Sequence, residues 1–296
     1  MCRWLVYSGS PVPLEAFLYQ PEHSLIDQSL NAKLGTHTTN GDGFGVGWYG
    51  DGEEPALYKG INPAWNDQNL RELSRHISSA MIFAHIRAST GTPVQHTNCH
   101  PFRHGKWLWM HNGQIDRFTE VKRELMLAVD PALFHYIKGS SDTETFFFLA
   151  LTFGLEQDPP AAVARAVGYI EEVCARRGIA EPMRMSVAVS DGSCAWAFRY
   201  ASTGVPPSLY YSTKVATLRQ HLPDISIFQT LSDESRLIVS EPLGDLAGAW
   251  NEVPASTYAF ICAGDDELRP FTPTGCSAFP GDAARPAGES GMATLD

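Results

Sequence analysis

The chain has 296 residues, of which 44% are hydrophobic and 19% are charged, a globular composition with enough apolar material for a large core. Its formal net charge of −11 argues against nucleic acid or an anionic membrane as the main partner, because both require a basic surface. Length suggests two domains, but no linker interrupts the first two-thirds. We therefore expect one domain over residues 2–262 and a loosely ordered, Pro/Gly/Ala-rich tail over residues 263–296.

The predicted elements follow the order strands, helices, strands. Short β-prone segments predict strands over 3–7, 44–49, 56–58, 81–86 and 106–110, whereas residues 13–31 are mixed and read as irregular. Helical patterns cover 67–78, 142–155 and 161–177, and further strands are expected at 185–189, 194–198, 209–211, 236–239 and 258–262. This order predicts an α+β fold with two antiparallel sheets layered with helices.

Cysteine usage and hydropathy bear on location and cofactors. The six cysteines form no C-x-x-C pair, so neither a disulfide scaffold nor a structural zinc site is indicated. His96, Cys99, His100 and His104 share one loop without metal-ligand spacing, and the glycines of 41–47 do not fit a dinucleotide motif. No secretory signal opens the chain, and the apolar run 146–151 is too short to span a membrane. We expect a cytoplasmic protein without cofactor or metal.

The cysteine at position two is the first candidate for chemistry. Removal of Met1 would give Cys2 a thiol and a free α-amine on one residue. Because an α-amine titrates at about 7.7–8.0, it can accept the thiol proton near neutral pH. The alternative is that Cys2 is a small packing residue at the start of a strand.

Two further segments suit acyl transfer. Asn112 and Gly113 follow a predicted strand, and the Asn112 amide and the Gly113 backbone N–H are two donors that can form an oxyanion hole. The alternative is an ordinary turn, since Asn-Gly is a frequent turn dipeptide. Arg87 ends a strand that should be buried, where its planar guanidinium suits either a substrate carboxylate or an ion pair within the protein.

A carboxylate stands at the start of the predicted central helix. The segment Ser140-Ser141-Asp142-Thr143-Glu144 places Asp142 in the first turn, where the helix dipole favours an anion. Asp142 can therefore bind a substrate cation, or it can simply cap the helix.

Taken in order, Cys2, Arg87, Asn112-Gly113 and Asp142 resemble the class II glutamine amidotransferases, whose mature chains begin with a nucleophilic cysteine. The resemblance implies the four-layer αββα sandwich of N-terminal-nucleophile hydrolases. It also implies that Cys2 attacks, that Asn112 and Gly113 hold the oxyanion, and that Arg87 and Asp142 bind the α-carboxylate and α-ammonium of a γ-glutamyl substrate. Thr90 is a further substrate-binding candidate, although Gly91 follows it where many family members have histidine.

No fused synthase domain is recognisable. The segments Asn40–Tyr49, Asn98–Phe102 and Ser240–Leu243 resemble the stand-alone branch of the family, which includes ergothioneine-pathway γ-glutamyl amidohydrolases and glutathione-degrading subunits. The resemblance implies hydrolysis of a γ-glutamyl amide through a thioester on Cys2. Two alternatives stay open: a glutaminase subunit that delivers ammonia to a separate synthetase, and a catalytically silent γ-glutamyl-binding regulatory protein.

Overall fold

A computed structural model describes residues 2–34, 38–89, 91–221, 226–262 and 265–275. The strands in these ranges are β1 (Arg3–Pro13), β2 (Phe44–Trp48), β3 (Ala56–Gly60), β4 (Ser78–Ile86), β5 (Phe102–His104), β6 (Trp107–Ile115), β7 (Met183–Ser190), β8 (Ala195–Ala201), β9 (Tyr210–Ser212), β10 (Arg236–Val239), β11 (Trp250–Glu252), β12 (Thr257–Cys262) and β13 (Asp265–Pro270). The α-helices are α1 (Glu15–Leu18), α2 (Leu25–Asn31), α3 (Gln68–His76), α4 (Phe118–Leu127), α5 (Pro131–Phe134), α6 (Asp142–Thr152), α7 (Pro159–Arg176), α8 (Val215–His221) and α9 (Ser226–Thr230).

The strands form two antiparallel sheets. The first has the order β11-β9-β10-β1-β4-β2-β3, and the second has the order β13-β12-β8-β7-β6-β5. In the first sheet β1 is central, with β10 on one side and β4 on the other. The residue that precedes β1 therefore lies in the middle of the sheet.

Side-chain alternation along β1 explains the layering. Successive side chains of a strand point to opposite faces, so Trp4 and Val6 belong to the core between the sheets, where they join Leu108 and Met110 of β6. Leu5 and Tyr7 belong instead to the core under α1 and α2. The outer face of the second sheet packs on α4, α6 and α7. The predicted α+β, four-layer αββα sandwich is confirmed.

The central helix α6 is the most apolar element. Its N-cap Ser141 accepts a hydrogen bond from the Glu144 amide at 3.2 Å, and Asp142 and Glu144 occupy its first turn, as favourable capping and the helix dipole require. All its residues from Thr143 to Leu151 are buried. The helix therefore fixes Asp142 rigidly at the edge of the core.

The structure corrects several expectations. Residues 13–31, predicted irregular, include α1 and α2, and α4 was not predicted. Cys194 and Cys262 form a disulfide that joins β8 and β12, although the cysteine spacing does not predict one. β13 adds a strand beyond residue 262, whereas residues 276–296 lie outside the described ranges, so the loosely ordered tail stays a prediction. None of the helices in the described ranges is long and apolar enough to cross a membrane.

Candidate active site

Strand pairing brings Cys2 beside the segment that follows β4. Arg3 of β1 pairs with Ile86 of β4, so Cys2 and Arg87 are neighbours across the sheet. The Ala88 amide donates to Cys2 Sγ at 3.2 Å, and the thiol donates to the Ala88 carbonyl at 3.4 Å. The nucleophile candidate is thus held by backbone groups of the Arg87 segment.

The thiol is half-buried and protonated at neutral pH. Burial raises the pKa of Cys2, while the hydrogen bond from the Ala88 backbone and the charge of Arg87 lower it less strongly. Because the thiolate is the reactive form, attack by Cys2 requires a base that removes the proton during the reaction. In the described ranges the thiol forms its hydrogen bonds with the Ala88 backbone and with no imidazole.

Asn112 and Gly113 come from the second sheet. Both residues lie within β6, which continues to Ile115, whereas the sequence suggested that they follow the strand. The Asn112 Nδ2 atom donates to the Cys2 carbonyl at 2.7 Å. An amide nitrogen carries two hydrogens, so one N–H can hold Cys2 while the other is available to an oxyanion.

Gly113 is at a position where only glycine fits. Its φ angle is +138°, and a Cβ atom there would stand 1.8 Å from the Arg184 backbone oxygen. The residue is exposed towards the cavity in front of Cys2. A side chain would therefore distort the strand where a reacting carbonyl would sit.

Arg87 is buried at 4% exposure without a carboxylate partner in the described ranges. Its guanidinium donates to the hydroxyl groups of Thr92 at 2.6 Å and Ser89 at 3.2 Å, and to the Pro93 carbonyl at 3.2 Å. The expected alternative of an internal ion pair is not found there. A buried cation with only neutral partners is suited to a ligand carboxylate.

Asp142 faces the same cavity from the start of α6. Its two oxygens accept hydrogen bonds from the backbone amides of Ile115 at 2.9 Å and Thr143 at 2.8 Å. The N-cap role expected as an alternative belongs to Ser141. Both partners are neutral backbone amides, and no Lys or Arg side chain in the described ranges forms an ion pair with this carboxylate.

One cavity of about 750 Å³ is bordered by four of the predicted site residues: Cys2, Arg87, Gly113 and Asp142. Asn112 reaches the site through its bond to Cys2. Thr90 lies outside the described residues. Within the described ranges no group of three or more His, Cys, Asp or Glu side chains is arranged to hold a metal ion.

Sequence reasoning did not identify the buried ion pair of Arg3 and Glu241, which contacts the Cys2 carbonyl. Arg3 Nη1 donates to the Cys2 carbonyl at 3.0 Å, and Arg3 Nε pairs with Glu241 at 2.8 Å. Glu241 also accepts the backbone amides of Lys33 at 2.8 Å and Leu34 at 2.9 Å. The segment Ser240–Leu243 was noted only as a family feature, and its contact with Arg3 depends on the pairing of β1 with β10.

The fold is that of the N-terminal-nucleophile hydrolases, and the groups around the cavity are suited to acyl transfer. The profile described as "Glutamine amidotransferases class-II" matches residues 22–272. The chain therefore belongs to the class II glutamine amidotransferases.

Two curated relatives are similar in sequence. The probable glutamine amidotransferase DUG3 of Saccharomyces cerevisiae is 34% identical over 291 aligned residues, covering 88% of this chain and 82% of the relative. The gamma-glutamyl-hercynylcysteine sulfoxide hydrolase of Mycobacterium tuberculosis is 34% identical over 119 residues, covering 40% of this chain and 51% of the relative. The second alignment thus spans about half of that hydrolase.

Solved structures agree on the fold. A glutamine aminotransferase class-II domain protein from Silicibacter pomeroyi superposes with a TM-score of 0.71 at 33% identity, covering 92% of this chain and 100% of that structure. The glutamine phosphoribosylpyrophosphate amidotransferase of B. subtilis superposes with a TM-score of 0.60 at 15% identity, covering 93% of this chain and 50% of that one. The latter likeness concerns the fold alone.

Proposed function

We propose that the protein hydrolyses a γ-glutamyl amide through a γ-glutamyl thioester on Cys2. The observation that carries this proposal is the cavity in which the Cys2 thiol shares one space with a buried cation, Arg87, and an anion, Asp142. A γ-glutamyl head carries an α-carboxylate and an α-ammonium group, which complement these two charges. The similarity to the mycobacterial gamma-glutamyl-hercynylcysteine sulfoxide hydrolase supports the same substrate class.

The reaction begins with proton transfer from the Cys2 thiol to its own α-amine, once Met1 has been removed. Sγ then attacks the γ-carbonyl carbon, and the oxyanion is held by the second Asn112 N–H and the Gly113 backbone N–H. Collapse breaks the carbon–nitrogen bond as the ammonium returns its proton to the leaving amine. Water, deprotonated by the same amine, attacks the thioester and releases glutamate with the free thiol.

The electrostatics of the cavity wall also suit this substrate class. Four arginines line it, against one carboxylate: Arg87, Arg117, Arg184 and Arg199 face Asp142. Arg117 pairs with Glu120 and Arg199 pairs with Glu252, whereas Arg87 and Arg184 have no carboxylate within 4 Å in the described ranges. In a chain of net charge −11, this cavity favours a zwitterionic or anionic small molecule.

The test is glutamate release from glutamine, glutathione and γ-glutamyl thioethers by purified protein whose intact mass shows loss of Met1. Cys2→Ala should abolish release. The matched control is Cys174→Ala, which removes a free buried thiol in α7, outside the cavity; it should keep full activity. Equal activity in wild type and Cys2→Ala would refute the mechanism.

The same assay separates the alternatives. A glutaminase subunit would release glutamate but depend on a separate synthetase to use the ammonia, and the comparisons give that partner no support. A silent binding protein would release no glutamate, yet a γ-glutamyl compound would raise its melting temperature.

A further inference from the structure

Two buried imidazoles form a pair near Asn112, and one of them, His100, also borders the cavity. His85, on β4, is fully buried, and His100 is exposed by only 5%. The Nδ1 atom of His100 lies 2.8 Å from Nε2 of His85. The mechanism proposed above gives neither ring a role.

Both rings are neutral, which limits where their protons are. Burial lowers the pKa of His85 to about 3, although a hydrogen bond with Asn112 raises it in part. Burial, together with the proximity of His85, lowers the pKa of His100 well below its usual value. A neutral imidazole has one N–H and one lone pair, so only one of the two facing nitrogens carries a hydrogen.

The side chain of Asn112 indicates which of the two facing nitrogens, His100 Nδ1 or His85 Nε2, carries the hydrogen. Its Nδ2 atom donates to the Cys2 carbonyl, which can only accept, so the orientation of the amide is fixed. Asn112 Oδ1 and His85 Nδ1 are both buried, and in the described ranges neither atom has a hydrogen-bond partner with good geometry. His85 lies opposite Trp4, whose side chain faces the second sheet, and Asn112 raises the pKa of His85, so the two side chains are neighbours. An amide oxygen only accepts. If His85 Nδ1 were unprotonated, both atoms would be buried acceptors that cannot satisfy each other, an unfavourable arrangement.

We propose that His100 and His85 are positioning residues that aim Asn112 at the reacting carbonyl. His100 Nδ1–H donates to His85 Nε2, and His85 Nδ1–H donates to Asn112 Oδ1. This direction holds Asn112 Nδ2 against Cys2 and polarises the amide, so that its second N–H is the stronger oxyanion donor. The catalytic part of this proposal rests on the proposed function, whereas the direction of the hydrogen bonds does not.

The direction is tested without an activity assay. Protein labelled with ¹⁵N-histidine is examined by multiple-bond ¹H–¹⁵N correlation at pH 7, and the two rings are assigned by the signals lost in His85→Asn and His100→Asn. Both rings should be neutral and protonated on Nδ1. A proton on Nε2 of His85, or a charged ring at either position, overturns the proposal.

A matched pair of substitutions tests the role. In asparagine the amide nitrogen is attached to Cγ, as Nδ1 is in histidine, so His85→Asn keeps a donor towards Asn112. In glutamine the nitrogen is one bond further out, in the place of Nε2, so His85→Gln keeps only the contact with His100. We expect His85→Gln to lower kcat about 10²-fold with little change in KM, and His85→Asn to retain most of the activity.

Equal losses in the two variants, with unchanged melting temperatures, would overturn the positioning role. If either variant does not fold, the positions of the protons on His85 and His100 in the wild-type protein test the proposal instead. An inactive wild type would refute the proposed function, while the measured proton positions would still support or overturn the hydrogen-bond direction.

Discussion

Replacement of Glu241 by glutamine tests whether the buried charges behind Cys2 hold this part of the fold. Glu241 and Arg3 are exposed by only 2% and 3%, and Arg3 Nε lies 2.8 Å from the carboxylate. Glu241→Gln keeps the shape but removes the carboxylate charge from this buried pair. Breaking such a pair costs about 3–5 kcal/mol, and each kcal/mol lowers the Tm by roughly 2–4 °C in a domain of 150–250 residues. We expect a Tm lower by roughly 6–20 °C.

The chain offers a matched control. Asp245 pairs with Lys33 at 2.9 Å, but their side chains are exposed by 86% and 52%. Water screens this pair, so Asp245→Asn should leave the Tm almost unchanged in the same thermal unfolding assay. The reasoning is refuted if Glu241→Gln lowers the Tm no more than Asp245→Asn does.

At acid pH the difference in Tm between the wild type and Glu241→Gln should disappear. Burial alone would raise the pKa of Glu241, but the hydrogen bonds from His23 and the Lys33 amide and the charge of Arg3 outweigh it and lower the pKa. A carboxylate with a lowered pKa in the folded state stabilises fully above its unfolded value, about 4.3, and loses that contribution as the pH falls through the folded value. The Tm difference should therefore shrink below about pH 4.

Three further predictions concern the reaction. Because burial raises the pKa of Cys2, kcat/KM should rise with pH as the α-amine loses its proton, near 7.7–8.0; a pH–rate profile that is already flat at pH 6 would contradict this. Asp142→Asn should lower kcat/KM for glutamine about 10–150-fold, the value of a charge-assisted hydrogen bond, but should not affect glutaramate, which lacks the α-amine; equal losses would argue against a contact with the ammonium. Gly113→Ala should abolish turnover and lower the Tm, because its Cβ would collide with the Arg184 carbonyl; full activity in that variant would exclude the residue from the site.

Sequence reasoning predicted those parts of the fold that local pattern determines. The apolar run of α6 and its Ser-Asp-Thr-Glu start identify a buried helix with a defined first turn. The helices α1 and α2 are only 4 and 7 residues long, too short for a 3.6-residue period to be read. The Cys194–Cys262 disulfide joins residues that are 68 positions apart in the sequence. The two cysteines come close together only because β8 pairs with β12.

In the site, too, residues in local motifs could be predicted from the sequence, whereas residues that meet through long-range pairing could not. The site candidates that lie in recognisable local motifs are Cys2, Arg87, Asn112-Gly113 and Asp142. The structure brings them together at one cavity, and their roles stay a prediction. The residues that hold them could not be predicted, because Arg3–Glu241 and His85–His100 meet only through the pairing of distant segments. Arg87 shows the limit most clearly: the sequence left a ligand clamp and an internal ion pair open, and only the neutral partners seen in the structure favour the former.

The contacts of Cys2 predict that the proposed activation by removal of Met1 is separate from folding. Its carbonyl accepts from Asn112 and Arg3, and its thiol exchanges hydrogen bonds with Ala88. These bonds use the carbonyl and the side chain, and none of the hydrogen bonds found in the described ranges involves the nitrogen of Cys2. Removal of Met1 therefore changes the basicity of one nitrogen, from an amide to an amine, without disturbing the bonds that place the thiol. A chain that retains Met1 should melt at the same temperature as the processed chain and hydrolyse no γ-glutamyl amide.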